Sequence, residues 1–230
     1  MEQLGGYAQF CPVAMAAEIL CTRWTPLILR EFYCGSTRFN DLRRGVPRMS
    51  PSLLSKRLKD LEKAGVISTT QRGGGATEYL LTPAGEDLKP LVLGMGFWGQ
   101  RWVDSDVSLR HLDPSLLMWD MRRNIDPQPL PPHRCTIQFQ YPELSDADRD
   151  WWLVIDKGEV ELCSFDPGYE VNLVVRSSLR TMTSIWMGYA AIPGELAAGR
   201  LELDGERPIA DAIQKWLTLS TFAPEPRKVS

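Results

Sequence analysis

Ser52, Ser55, Lys56 and Lys59 fall on one side of a helical repeat, and Leu54, Leu58 and Leu61 on the other. Residues three and four apart share a helix face. A face of hydroxyls and ammonium groups can bond base edges and neutralise phosphates. Around it stand Arg38, Arg43, Arg48, Arg57 and Arg72, with Ser50 and Thr77 as further hydroxyls. Residues 38–72 carry nine Lys/Arg against three acids, whereas residues 106–230 carry 13 against 19. The net charge of −3 therefore conceals a cationic segment inside a mildly acidic chain. These residues are the candidate DNA contacts. Lys56 and the serines would address bases, and Arg48 and Arg57 phosphates. Arg72 would enter the minor groove or lie on the backbone, and Thr77 would bond a phosphate.

Cys11 offers a second chemistry. It stands where a helix N-cap belongs, directly before Pro12. A helix N-terminus lowers a thiol pKa, and thiolate is the reactive form. Cys11 is thus a candidate redox-sensing residue, against the alternative of a small side chain in an interface. Cys21 and Cys34 lie in helical patterns and are expected in a core, as are Cys135 and Cys163 in strands. Five widely spaced cysteines without a CxxC, and two distant histidines, give no disulfide framework and no metal site. No cofactor is expected. No Ser–His–Asp set, GxSxG or P-loop is present, so no enzymatic activity is expected either.

These groups need elements to hold them. A short helix is expected around Phe39–Arg44, then a turn with Gly45 and Pro47. Ser50 caps the next helix, Pro51 opens it and Gly65 ends it. Residues 66–70 and 78–82 read as two strands around Gly73-Gly74-Gly75, a β-wing. Before them, helices are expected from Pro12 to about Leu20 and from Thr25 to Tyr33. After them, one from Thr82-Pro83 to about Val103 carries Leu88, Leu91, Val92, Met95, Trp98 and Trp102 at a period near 3.6. That stripe suits a core or a dimer seam.

The 43% hydrophobic content allows a real core, and no apolar run reaches a membrane span. The start lacks the basic and apolar regions of a signal peptide, so a cytoplasmic protein is expected. Residues 104–133 read as a linker with a short helix from Pro114 and a proline-rich connector at 126–132. From Arg134 the period turns to two, with strands near 136–141, 152–155, 160–163, 171–175 and 200–205. Helices are expected at 178–188 and 209–219 and a tail from Ala223. This half is expected to be an α+β sandwich, an antiparallel sheet with helices on one side. Trp119, Trp152, Met182, Trp186, Met187 and Trp216 are candidates for lining a ligand pocket, with core packing as the plainer alternative.

Residues 8–103 resemble the HxlR family of winged-helix regulators. The likeness rests on Cys11-Pro12-Val13, Trp24-Thr25-Pro26-Leu27-Ile28-Leu29, Arg38-Phe39-Asn40-Asp41-Leu42 and Met49-Ser50-Pro51-Ser52-Leu53-Leu54-Ser55. It extends over Leu58–Ile67 and Tyr79-Leu80-Leu81-Thr82-Pro83-Ala84-Gly85. The resemblance implies a dimeric transcription factor on a pseudo-palindromic operator, with first and last helices forming the dimer, and repression over activation. Some members sense oxidants through a cysteine at this place. Residues 134–222 resemble, less closely, a sterol-carrier-protein-type domain, which implies an apolar tunnel. Expected domains are therefore 1–103, 104–133 as linker, 134–222, and a tail at 223–230. The expected function is a DNA-binding homodimer modulated by a hydrophobic small molecule. One alternative makes Cys11 the sensor of oxidants or electrophiles and the second domain a dimerisation or docking module. Another makes the chain a lipid carrier with a vestigial winged helix.

Overall fold

The computed structural model describes residues 6–71 and 76–229. Arg72 and the glycine tip expected between the wing strands lie outside the described residues. The chain forms two compact units, dividing between Met95 and Gly96.

The first unit holds α1 (Pro12–Leu20), α2 (Thr25–Tyr33), α3 (Phe39–Gly45), α4 (Pro51–Lys63), β1 (Ile67–Gln71), β2 (Thr77–Leu81) and α5 (Pro83–Asp87), with the first half of α6 (Lys89–Trp102). α4 starts where Ser50 Oγ accepts the Leu53 N–H at 3.3 Å and Pro51 takes the first turn. It stops at Gly65, whose φ of +71° suits a residue without a Cβ. Leu54, Leu58 and Leu61 join Ile28, Leu29, Phe32, Leu42, Val46 and Met49 in the core. Each such side chain contributes roughly 1.5–3 kcal/mol by leaving water. β1 and β2 pair antiparallel from Ile67↔Leu81 to Gln71↔Thr77.

Two polar joints lock this unit. Glu31 is fully buried, and Arg30 Nη2 donates to its Oε1 at 2.8 Å and to the Gly45 carbonyl at 2.8 Å. This ties α2 to the end of α3. At the second joint the Thr82 hydroxyl lies 2.6 Å from the Gly65 carbonyl and 3.1 Å from that of Val66, and it accepts the Gly85 N–H. A Cβ on Gly85 would stand 2.2 Å from the Val66 carbonyl, so only glycine fits there.

The second unit contains the rest of α6, then α7 (Ser105–Ser108), α8 (Pro114–Arg123), β3 (Cys135–Gln140), α9 (Asp146–Arg149), β4 (Asp150–Asp156), β5 (Glu159–Cys163) and β6 (Leu173–Ser177). α10 (Leu179–Trp186), α11 (Ile192–Ala197), β7 (Leu201–Gly205), α12 (Arg207–Asp211) and α13 (Ile213–Trp216) follow. The sheet order is β5-β4-β3-β6-β7. Helical residues Met118, Met121, Met182, Trp186, Ile209, Ile213 and Trp216 pack with Ile137, Phe139, Leu153, Leu173, Val175 and Leu201 of the strands. The buried Trp216 indole is satisfied by the Ile209 carbonyl at 2.8 Å.

Three features differ from the sequence reading, the first being that the one helix expected at 209–219 is the two short helices α12 and α13. The sheet is mixed, because β6 runs parallel to β3 from Ile137↔Leu173 to Gln140↔Arg176. Residues 164–172 carry the chain back between the edge strand and β6, and such a crossover makes neighbours parallel. The segment 104–133 is more than a linker, since Leu117, Met118, Met121, Ile125 and Leu130 belong to the second core. Asp113 caps α8 by accepting the Leu116 N–H at 3.1 Å.

Candidate nucleic-acid interface

α4 presents Ser52, Lys56 and Lys59 to solvent, with Ser55 half-buried beside them. The buried leucines fix the rotation of the helix, so this polar face has one orientation. Arg57 is tethered to its own helix, its Nη1 donating to Asp60 Oδ2 at 3.1 Å. Ser50 is occupied as the cap, and its hydroxyl stands 3.2 Å from that of Ser52. Arg38, Arg43 and Arg48 are exposed on or beside α3. Arg38 and Thr77, far apart in sequence, meet at a cleft of about 380 Å³ also lined by Phe39, Asn40, Asp41, Arg44 and Ala76. Asn40 carried no sequence signal as a contact, because only the β2–α3 junction brings it beside the wing. Gln71 Nε2 donates to the Thr77 hydroxyl at 3.1 Å, holding it at the last pair of the wing strands.

The stripe on α6 divides. Val92 and Leu88 pack with the first core. Leu91, Met95, Trp98 and Trp102, spaced four, three and four apart, are exposed, Trp98 by 62%. α1 buries only Ala14 and leaves Val13 and Met15 in solvent, as is Phe10 just before it.

Cys11 is the N-cap residue of α1. Its sulfur makes no capping hydrogen bond of normal geometry, but it faces the N–H groups of Ala14 and Val13. Their partial positive charge holds the thiol below its ordinary 9.0, Ala14 contributing most. Burial pushes the Cys135 thiol up to about 11. At pH 7 we expect iodoacetamide to alkylate Cys11 faster than an unperturbed thiol, with Cys135 protected. The advantage should fade above pH 9, where ordinary thiols also ionise. Mass-spectrometric rate measurement at each site checks this; equal rates at Cys11 and Cys135 would contradict it. Cys21 and Cys34, expected in a core, are exposed because each occupies a helix C-cap.

The six residues offered for a ligand pocket do not gather in one place. Met182, Trp186 and Trp216 belong to the second core, and Met187 packs against it. Trp152 alternates with the core residues Trp151 and Leu153, so it lies on the other sheet face. Trp119 is buried under the guanidinium groups of Arg122 and Arg123, 4.6 and 5.0 Å from its ring. Among the described residues, no group of three His, Cys, Asp or Glu could hold a metal ion, and no helix is long and apolar enough to cross a membrane.

A capped helix with a cationic outer face, set against a shorter helix and followed by a two-stranded wing, defines a winged helix-turn-helix. Comparison with known proteins agrees. A family profile described as HxlR-like helix-turn-helix matches residues 19–107. The chain is 34% identical over 100 residues to the HTH-type transcriptional regulator YvaP of Bacillus subtilis, covering 42% of this chain and 93% of that one. It is 32% identical over 96 residues to YdeP of the same organism, covering 41% and 75%. With Rv3095 of Mycobacterium tuberculosis it shares 33% over 138 residues, covering 52% and 85%. Among solved structures, the oxidized form of the redox regulator HypR aligns at 30% identity and a TM-score of 0.37, covering 39% and 95%. The chain belongs to the HxlR-like family, and it is a transcriptional regulator of that family.

Proposed function

We propose that this chain is a repressor that binds a pseudo-palindromic operator as a homodimer, with an apolar small molecule in the second unit modulating it. The observation that carries the DNA reading is the exposed Ser52–Lys56–Lys59 face of α4, together with the cleft where Arg38, Asn40 and Thr77 meet. Cations there release counterions from phosphates, and a lysine on the helix face reaches base edges. Apolar side chains left in water on α1 and α6 support the dimer, since such patches mark association surfaces. The methionine- and tryptophan-rich second core supports the ligand, and the sequence resemblance of residues 134–222 to sterol-carrier-type domains points the same way.

Fluorescence anisotropy on DNA from upstream of the protein's own gene tests the reading. Lys56→Ala should weaken binding by about 1–3 kcal/mol if Lys56 reads a base. Arg38→Ala should weaken it on all sequences alike and lower the salt slope. Unchanged binding in both variants would sink the docking.

Cys11 supports a second reading, in which an electrophile or oxidant attacked by this thiolate is the signal. Under that reading Cys11→Ser abolishes any effect of oxidants on DNA affinity.

A further inference from the structure

Two hydroxyls project into the apolar interior of the second unit. β6 alternates Leu173, Val175 and Ser177 towards the helices, with Val174 and Arg176 on the other face. Ser177 pairs with Leu201, is 5% exposed, and its Oγ has no hydrogen-bond partner among the described residues. Tyr141 stands one position beyond Gln140, which pairs with Arg176 in the parallel register. Tyr141, directly after the end of β3, and Ser177, the last residue of β6, therefore follow the final β3–β6 pair on the same side of the sheet, and both are buried. Tyr141 is fully buried, and its hydroxyl donates to Met118 Sδ at 3.1 Å. A thioether is a weak acceptor, and a buried hydroxyl with no partner is costly. Burial pushes the phenol far above its usual range, so it remains a neutral donor.

The surroundings set the chemistry of anything these groups would bind. Met118, Met121 and Met182 lie in the same cluster, and Met187 packs against it. Unbranched thioether side chains re-pack around an inserted chain more readily than Ile or Val. Among the described residues of this unit the charged groups that reach inwards are already engaged: the Arg123 guanidinium, whose Nε and Nη1 are buried, stands 3.5 Å from Asp120 and over the Trp119 ring, and the buried carboxylate of Glu195 is held by Arg200 at 2.6 and 2.8 Å. A charged head group would have to displace one of these partners.

We propose that this interior takes a neutral, largely apolar molecule with one carbonyl or hydroxyl oxygen, whose two lone pairs accept from Ser177 and Tyr141. The chain of the molecule displaces methionine side chains, and the Tyr141 hydroxyl exchanges sulfur for oxygen. This rests on the reading of the second unit as a ligand-binding domain, and it adds where the polar end sits and that it is uncharged.

The test uses the full chain, wild type and Ser177→Ala, with 2-dodecanone and dodecanoate as probes. Tryptophan emission follows binding, since Trp186 and Trp216 lie in the same cluster. We expect 2-dodecanone to bind and dodecanoate at pH 8 to bind at least about tenfold more weakly. Ser177→Ala should weaken the ketone about fivefold, the worth of one hydrogen bond. Without ligand the same variant should melt about 2–4 °C higher, because it removes an unpartnered polar group. Tyr141→Phe should weaken the ketone similarly. Equal binding of ketone and carboxylate, or unchanged ketone affinity in both variants, overturns the head-group assignment while leaving a ligand-binding domain in place. A lower melting temperature in Ser177→Ala also overturns it. If neither probe alters emission or melting, the ligand-binding reading falls, and this inference with it.

Discussion

Gly45→Ala should cost the first unit about 3 kcal/mol, the scale of breaking a buried ion pair. A Cβ at that position would stand 1.8–2.3 Å from the atoms of the Glu31 carboxyl group. The carboxylate is fully buried and cannot swing into water. It would have to leave Arg30, whose guanidinium also holds the Gly45 carbonyl, so one methyl group breaks the joint between α2 and α3 from both sides. Gly94→Ala is the control. Nothing lies within 4 Å of its Cβ position on α6, so relieving a helical glycine should stabilise by about 0.5–1 kcal/mol. Chemical denaturation of both variants decides the matter. A Gly45→Ala protein as stable as wild type would mean that the Glu31 joint is not what holds these helices.

Met95→Glu with Trp98→Glu should convert the proposed dimer to monomer and lower operator affinity by about a hundredfold or more, since two linked half-site contacts become one. Both side chains are exposed, so the double variant should fold normally. Placing two carboxylates in an apolar seam costs far more than the lost contacts. Sedimentation and anisotropy read the two effects separately. A dimer that survives the change would move the seam away from α6. Monomers that still bind the full operator with wild-type affinity would remove the need for two reading heads.

Much of the first unit was legible because its signals are local. Ser50-Pro51 and Thr82-Pro83 start helices where expected, and the Leu54, Leu58, Leu61 spacing orients α4 correctly. One helix expected from Pro83 to about Val103 is two, interrupted at Leu88. The α6 stripe was visible, but periodicity marks apolar positions without saying which wall receives them, so Val92 and Trp98 looked alike. Arg30 and Glu31 look in sequence like an ordinary adjacent surface pair. Only the approach of Gly45 reveals the burial. Alternation of period two is the same in parallel and antiparallel strands, which is why the β3–β6 pairing could not be read. Trp151 and Trp152 show the same limit, since adjacent residues of one composition serve opposite faces. The unpartnered Ser177 had no signal at all, for a serine closing a strand usually meets water.

The Thr82 hydroxyl has a consequence for how a signal can be obeyed. Because Thr82 grips the carbonyls that end α4 while closing the turn of Gly85, and Tyr33 donates to the Gly85 carbonyl at 2.7 Å, reading helix and wing form one piece with the helices behind them. Such a piece cannot tilt its helix in the groove and leave its wing in place. In the proposed dimer an effector would therefore alter the distance between two such pieces but not the letters that either one prefers. Under that proposal, operators with one or two base pairs added between half-sites should distinguish the effector-bound from the effector-free dimer, while single-base changes within a half-site should affect both equally.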